Sequence, residues 1–344
     1  MQATKKPQID FDNLKFDFYQ TEWMFLSNFR DGKWDEGELV PFNSIELSPA
    51  ACILNYGQGI FEGMKALQAK DGRITLFRPM KNAERFEKSA IRLVMPPYDK
   101  QRFVKEVKEV TLANNEFVPP YESGGSLYLR PLLIGSGPVL GIAPAKEYTF
   151  IVFCSPVGPY FPKGFKTISL LISDKYTRAS PGGTGSTKTC SNYSRTMRPA
   201  LEGKMQGYDQ IIYLDAIYKK YITEVGAANF CAIIDGNLVT PRFDGTILEG
   251  ITLDSVLTLA KHNLGIEIEQ RDLSYEELFT DECTELFCTG TAAVITPIGT
   301  VSYETKKKIY NNNTPGPITK KLYDLLTGIQ KLDLPDDFGW TTIL

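Results

Sequence analysis

One segment near the middle of the chain can be neither an unbroken helix nor an unbroken strand. Pro181 to Tyr193 reads P-G-G-T-G-S-T-K-T-C-S-N-Y, with three glycines at 182, 183 and 185 and Lys188 just behind them. Glycine and proline at that density impose a turn. Any fold the chain adopts must therefore present Lys188 on a tight loop. Thirty-six residues later, Y-I-T-E-V-G-A-A-N-F sets Glu224 between apolar neighbours. A lysine on a loop is most simply a solvated charge. A carboxylate flanked by Ile222 and Val225 is harder to dismiss, because a buried carboxylate needs a partner. A lysine so presented is a candidate amine nucleophile toward carbonyl compounds. A carboxylate able to pair with a pyridinium nitrogen would be the other half of a pyridoxal-phosphate site.

Composition narrows the alternatives. The 344 residues exceed what one small core needs and suit two domains. The net charge of −3, with no dominant basic cluster, points away from a nucleic-acid partner. Lys306–Lys308 reads as a solvated face. No apolar run is long enough for a bilayer, and the N-terminus has neither a secretory h-region nor an Arg-rich transit pattern. The six cysteines, at 52, 154, 190, 231, 283 and 288, form no C-x-x-C and read as reduced thiols. The expected location is therefore cytoplasmic. With one histidine, His262, a multi-histidine metal site is impossible, and no metal is expected. An enzyme built from this chain needs another acid–base group.

The pattern predicts a mixed α/β (α+β) fold of two domains. A smaller α/β domain is expected over residues 1–158, a linker over 159–174, and a larger, strand-rich domain over 175–344. Ala83, Phe86, Ala90 and Leu93 recur at helical spacing and predict a helix over 79–95, stopped by Pro96–Pro97. A second helix is expected over about 100–114. S-L-Y-L-R-P-L-L-I and Y-T-F-I-V-F-C-S read as strands. Asp71–Gly72 and Asp235–Gly236 read as hairpin turns. A helix from Thr252 should end near Gly265, and Ser274 with Glu277 forms a capping box. The Pro/Gly-dense run from Val157 to Lys166 is the expected linker, a loop over the site.

Seven motifs then occur in a fixed order. They are F-E-G-M-K-A (Phe61–Ala66), F-R-P-x-x-N-A-E-R-F (Phe77–Phe86), Y-L-R-P (Tyr128–Pro131), G-x-x-K-x-x-x-N-Y (Gly185–Tyr193), T-E-V-G-x-x-N (Thr223–Asn229), G-T-I-L-E-G-I-T (Gly245–Thr252) and G-T-A-A (Gly290–Ala293). Together they resemble the branched-chain amino-acid aminotransferases, enzymes of the fold-type IV pyridoxal-phosphate class. The resemblance runs from about Leu14 to beyond Thr300. It implies a two-domain fold with a pseudo-barrel as the larger domain. The implied reaction is amino transfer from leucine, isoleucine or valine to 2-oxoglutarate.

The resemblance also implies roles. Lys188 matches the Schiff-base lysine, which becomes the general base once the substrate amine displaces it. Glu224 matches the partner of the cofactor's ring nitrogen, and Tyr193 the tyrosine bonded to its phenolic oxygen. Arg85, Ile251, Thr252 and Thr291 match phosphate ligands, the middle two through backbone N–H groups at a helix start. Phe16, Tyr56, Phe61 and Tyr128 match pocket aromatics. Arg130 matches an arginine near the substrate carboxylate, and Ala292 lies in a turn that binds it. Leu140 and Ile142 match residues reaching into a partner's pocket, so a homodimer or higher assembly is implied. Two features depart from some relatives: Ala293 and Thr296 replace a redox cysteine pair, and Ala227 replaces a threonine. D-amino-acid aminotransferases and aminodeoxychorismate lyases share the lysine and glutamate, but the F-E-G-M-K-A and Y-L-R-P pair points away from them.

Overall fold

A computed structural model describes residues 9–158 and 165–344. The expected loop over Val157–Lys166 has its middle, residues 159–164, outside the described residues.

The first half builds an antiparallel sheet from β1 (Trp23–Arg30), β2 (Lys33–Trp34), β3 (Glu38–Pro41), β4 (Gly59–Phe61), β5 (Met64–Gln68), β6 (Ile74–Phe77), β7 (Ser126–Gly135) and β8 (Tyr148–Val157). The two long central strands show why period two matters. Leu127, Leu129 and Leu133 of β7 are fully buried under helices. Tyr128, Arg130 and Leu132 point the other way, into a cavity. Three helices accompany this sheet: α1 (Cys52–Tyr56), α2 (Pro79–Arg92) and α3 (Lys100–Ala113). Phe86 of α2 and Phe103 of α3 meet Phe150 of β8 at ring-centroid distances of 5.7 and 5.9 Å, and Tyr98 stacks on Phe150 at 4.0 Å. The α2 helix stops at Arg92, three residues before its expected end. Val94 turns to φ 55° and the Met95 N–H returns to the Ala90 carbonyl, so the reversal precedes Pro96.

The second half builds β9 (Ile168–Ser173), β10 (Gln210–Leu214), β11 (Ile222–Val225), β12 (Ala228–Ile234), β13 (Asn237–Pro241), β14 (Ile268–Arg271), β15 (Cys283–Gly290), β16 (Val294–Tyr303) and β17 (Lys306–Ile309). Their order is β11-β10-β9-β16-β15-β12-β13-β14, and β11 also pairs with β12. That extra pairing closes six strands into a barrel. Phe230, Ala232, Leu286 and Ile298 fill one core. The alternate residues Cys231, Ile233 and Phe287 pack outward against α6 (Ile251–Leu264) and α7 (Pro317–Gln330). Both faces are covered, which is why N-F-C-A-I-I is apolar without alternation.

The β9–β10 pair is parallel, so a crossover must join them. That crossover holds the Gly-rich turn, α4 (Cys190–Ser194) and α5 (Met197–Met205). Gly265 ends α6 at φ 64°, and the Ser274–Glu277 capping box is formed. The last strand, β18 (Thr341–Ile343), pairs with β6 of the first sheet. The chain's end thus ties the two sheets together.

Candidate active site

The loop carrying Lys188 is anchored at its backbone. Buried Asn192 donates to the carbonyls of Thr184 (2.6 Å) and Thr187 (2.9 Å), which holds the Gly-rich turn closed. The Lys188 carbonyl accepts from the Phe61 N–H at 3.1 Å, and the Thr189 hydroxyl donates to the Gly59 carbonyl at 2.8 Å, docking the loop on β4. Ser89 of α2 accepts the Lys188 N–H at 3.1 Å. The side chain is left to enter a cavity of about 590 Å³ between the two sheets. There its Nζ donates to the Tyr193 hydroxyl at 3.0 Å and lies 4.9 Å from the Phe61 ring centre. Tyr193 comes from α4, which starts two residues after Lys188.

Glu224 sits behind this cavity on β11, almost without solvent contact. Burial pushes its carboxyl up to about 7, against the opposing pull of Arg178, the Leu248 N–H, Lys188 and Arg85. Arg178, itself buried, forms an ion pair with Glu224 and donates to the carbonyls of Gly185 (3.4 Å) and Thr246 (3.3 Å). Sequence reasoning missed Arg178, since nothing in Y-T-R-A-S marks it. Val225, Ala227 and Ala228, from the tight β11–β12 turn, form the adjoining wall.

Arg85 projects from α2 and makes a two-point ion pair with Glu62, both contacts at 2.8 Å, and a third bond of 3.0 Å to the Glu249 carbonyl. Glu62 is wholly buried and also accepts from Asn82 at 2.8 Å. The start of α6 lies beside this group. Ile251, Thr252 and Thr291 converge on a small pocket next to Gly63, and Ile251 and Arg85 share a wider neighbouring cavity of about 380 Å³. Gly250 precedes the helix because nothing larger fits: a Cβ there would lie 1.9 Å from Asn229 Oδ1. Gly63 is likewise required, its Cβ position being 2.0 Å from the Tyr128 hydroxyl.

On the opposite wall, the Arg130 guanidinium lies 4.7 Å from the Phe61 ring and donates to the Tyr128 hydroxyl at 3.3 Å. Arg130 Nε is buried without a partner. Phe16, half exposed, meets Tyr128 edge-on at 5.6 Å. Ala292 belongs to the β15–β16 turn that closes the cavity. Three residues stand elsewhere. Leu140 and Ile142 are 92% and 94% exposed, and Tyr56, half exposed, bonds through its hydroxyl to the Leu140 carbonyl. They form one group outside this chain's own cavity. Cys190 lines the cavity, but burial raises its thiol, so it is a poor nucleophile at neutral pH. Among the described residues no cluster of potential metal ligands occurs.

This arrangement can be compared with known proteins. A family profile described as amino-transferase class IV matches residues 59–301. The chain is 44% identical to the chloroplastic branched-chain-amino-acid aminotransferase 3 of Arabidopsis thaliana, covering 99% of this chain and 82% of that one. It is 39% identical to branched-chain-amino-acid aminotransferase 2 of Bacillus subtilis, covering 99% and 94%. The chain belongs to the class IV aminotransferases. The solved Escherichia coli branched-chain amino acid aminotransferase superposes with a TM-score of 0.80 at 27% identity, covering 94% of this chain and 99% of the other. A further branched-chain amino acid aminotransferase, solved with pyridoxamine 5′-phosphate, also gives 0.80, at 25% identity, covering 94% and 98%.

Class IV aminotransferases use pyridoxal 5′-phosphate, and the residues present fit that cofactor. A buried carboxylate raised toward neutrality suits a ring cation. A helix start whose preceding residue admits no Cβ, with Thr291 and Arg85 beside it, suits a phosphate. Arg130, whose Nε is buried without a partner, lines the same cavity as Lys188 and Tyr193.

Proposed function

We propose that this protein interconverts branched-chain L-amino acids and their 2-oxo acids, with glutamate and 2-oxoglutarate as the second pair. Lys188 carries the reaction, Glu224 and Tyr193 hold the cofactor ring, and Arg85, Ile251, Thr252 and Thr291 hold its phosphate. The observation that carries the reading is the meeting of Lys188 and Tyr193 at 3.0 Å in a cavity with an apolar wall and Arg130 in its lining.

When bound, the cofactor supplies a carbonyl carbon for the amino group and a ring that accepts electrons released at the α-carbon. The protein's residues supply the rest. Glu224 keeps a positive charge on the ring nitrogen favourable, and Arg178 opposes the neutral form of Glu224. Lys188 moves the proton between the α-carbon and the cofactor, which a chain with one histidine must do with another group. Its Nζ bond to Tyr193 keeps it at that place. Arg130 and Tyr128 offer donors to a carboxylate, while Phe16, Phe61 and Phe153 keep water from the alkyl chain. An apolar pocket separates ligands by only about 1–3 kcal/mol per methylene, so leucine, isoleucine and valine should all react.

We also assign Tyr56, Leu140 and Ile142 to the pocket of a second copy, giving a homodimer. Two aliphatic side chains more than nine-tenths exposed on one loop support that reading. The two sheets are assigned to two domains; the expected linker over 159–174 shortens to 159–167, because β9 (Ile168–Ser173) already belongs to the second sheet. Six free cysteines, five of them buried, favour a reducing compartment such as the cytoplasm. Among the described residues no helix is long and apolar enough to cross a membrane.

Steady-state amino transfer tests the function. Leucine, isoleucine and valine should each yield glutamate from 2-oxoglutarate at comparable kcat/KM. A strong preference for aspartate or for D-amino acids would overturn the assignment.

A further inference from the structure

Lys65 of β5 stands partly buried where the two sheets meet, and its ammonium donates to the carbonyl oxygen of Ala292. It forms no ion pair among the described residues. A cation removed from water without a carboxylate is costly, and such groups gather at functional sites. Lys65 pairs across the sheet with Tyr128, so both side chains stand on the face toward the second sheet.

The Ala292 carbonyl belongs to the three-residue turn between β15 and β16. The first sheet holds this turn at two points: Thr291 donates its hydroxyl to the Gly63 carbonyl at 3.2 Å, and Lys65 grips the next residue. A peptide whose oxygen is bonded to a cation has a more polarised N–H on its other side. Here that N–H belongs to Ala293, and Ala293 lines the cavity.

We propose that Lys65 is a positioning residue for the substrate carboxylate, setting the Gly290–Ala293 turn through Ala292 and supplying the positive charge behind it. The proposal rests on the substrate reading above and adds a residue to it. The bound carboxylate would provide the anion that Lys65 lacks.

The surroundings fit. Of the charged and titratable groups nearby, Lys331 at the end of α7 repels Lys65, Asp333 accepts from the Tyr121 hydroxyl at 3.0 Å, and Tyr128 lies across the sheet. Burial and Lys331 lower the Lys65 ammonium to about 8. Its charge is thus present at neutral pH and lost just above it.

The holoenzyme can be tested with two ligands that share an alkyl chain. One is 4-methylvalerate, which carries a carboxylate; the other is isopentylamine, which does not. Lys65→Met should weaken 4-methylvalerate binding roughly tenfold or more, while changing the half-reaction with isopentylamine less than about twofold. Lys65→Arg should restore binding. Affinity of the parent protein for 4-methylvalerate should fall as pH rises through about 8, and this fall should be absent from Lys65→Arg. Equal losses with both ligands would show a merely structural role and overturn the proposal, as would unchanged binding in Lys65→Met. A parent protein that reacts with other amino acids but does not bind 4-methylvalerate would overturn the substrate reading itself.

Discussion

In the proposed reaction two residues carry most of the chemistry, and each makes a prediction. Lys188→Ala removes the proposed base and the covalent hold on the cofactor together. Amino transfer should fall by at least about 10²–10⁴-fold, measured as single-turnover formation of the keto acid from leucine, with the fold unchanged by circular dichroism. Glu224 makes a prediction about pH. Folding lifts its carboxyl from 4.5 to about 7, so in the cofactor-free protein the unfolded chain gives up this proton first as pH rises. Stability should therefore decline between those two values. Glu224→Gln should abolish that decline, although the variant should be less stable overall because buried Arg178 loses its counter-charge. It should still lose roughly 10²–10³-fold in turnover, as when a preorganised electrostatic partner is removed. Thermal melts across pH and kcat values check the two halves separately.

At the scale of elements, the site depends on where one helix begins. Gly250→Ala would drive a methyl group into Asn229 Oδ1, whose amide holds the Leu248 carbonyl at 2.8 Å. The α6 N-terminus would shift, and pyridoxal phosphate should bind more weakly by absorbance titration while helix content stays the same. Much of this was legible in the residues themselves. Asp235–Gly236, Gly265 and Ser274–Glu277 carry local signals, and each forms the turn or cap expected. Lys188 stood out because three glycines precede it. Arg178 and Lys65 were invisible as site residues, because their partners, Glu224 and the Ala292 carbonyl, are distant in the chain. The α7 helix was overlooked although Pro317 at its start and Ile318, Leu322, Leu326 and Ile329 at helical spacing signal it; its first turn is capped by Glu285 from β15, which accepts the Ile318 and Thr319 N–H groups at 2.9 and 2.8 Å. No residue within the helix announces that cap. The β18 strand is only three residues long, and its place beside β6 depends on tertiary packing.

At the scale of the whole molecule, two sheets contribute opposite walls of one cavity, so damage to either core should reach the site. Phe150 packs against Tyr98, Phe86 and Phe103 under the first sheet. Phe150→Ala should cost about 3–5 kcal/mol, measured by denaturant unfolding, without touching any cofactor residue. A double change, Leu140→Asp with Ile142→Asp, should do the reverse. It should leave the fold intact, split the proposed dimer in sedimentation and raise the KM for leucine, because each pocket would lose what its neighbour provides. The most direct test of the central claim is the absorption spectrum of the purified protein with pyridoxal phosphate, before and after L-leucine without keto acid. A lysine-dependent yellow band should bleach with leucine, return with 2-oxoglutarate and be missing from Lys188→Ala. A band that ignores leucine but bleaches with D-alanine, or no band at all, would contradict it.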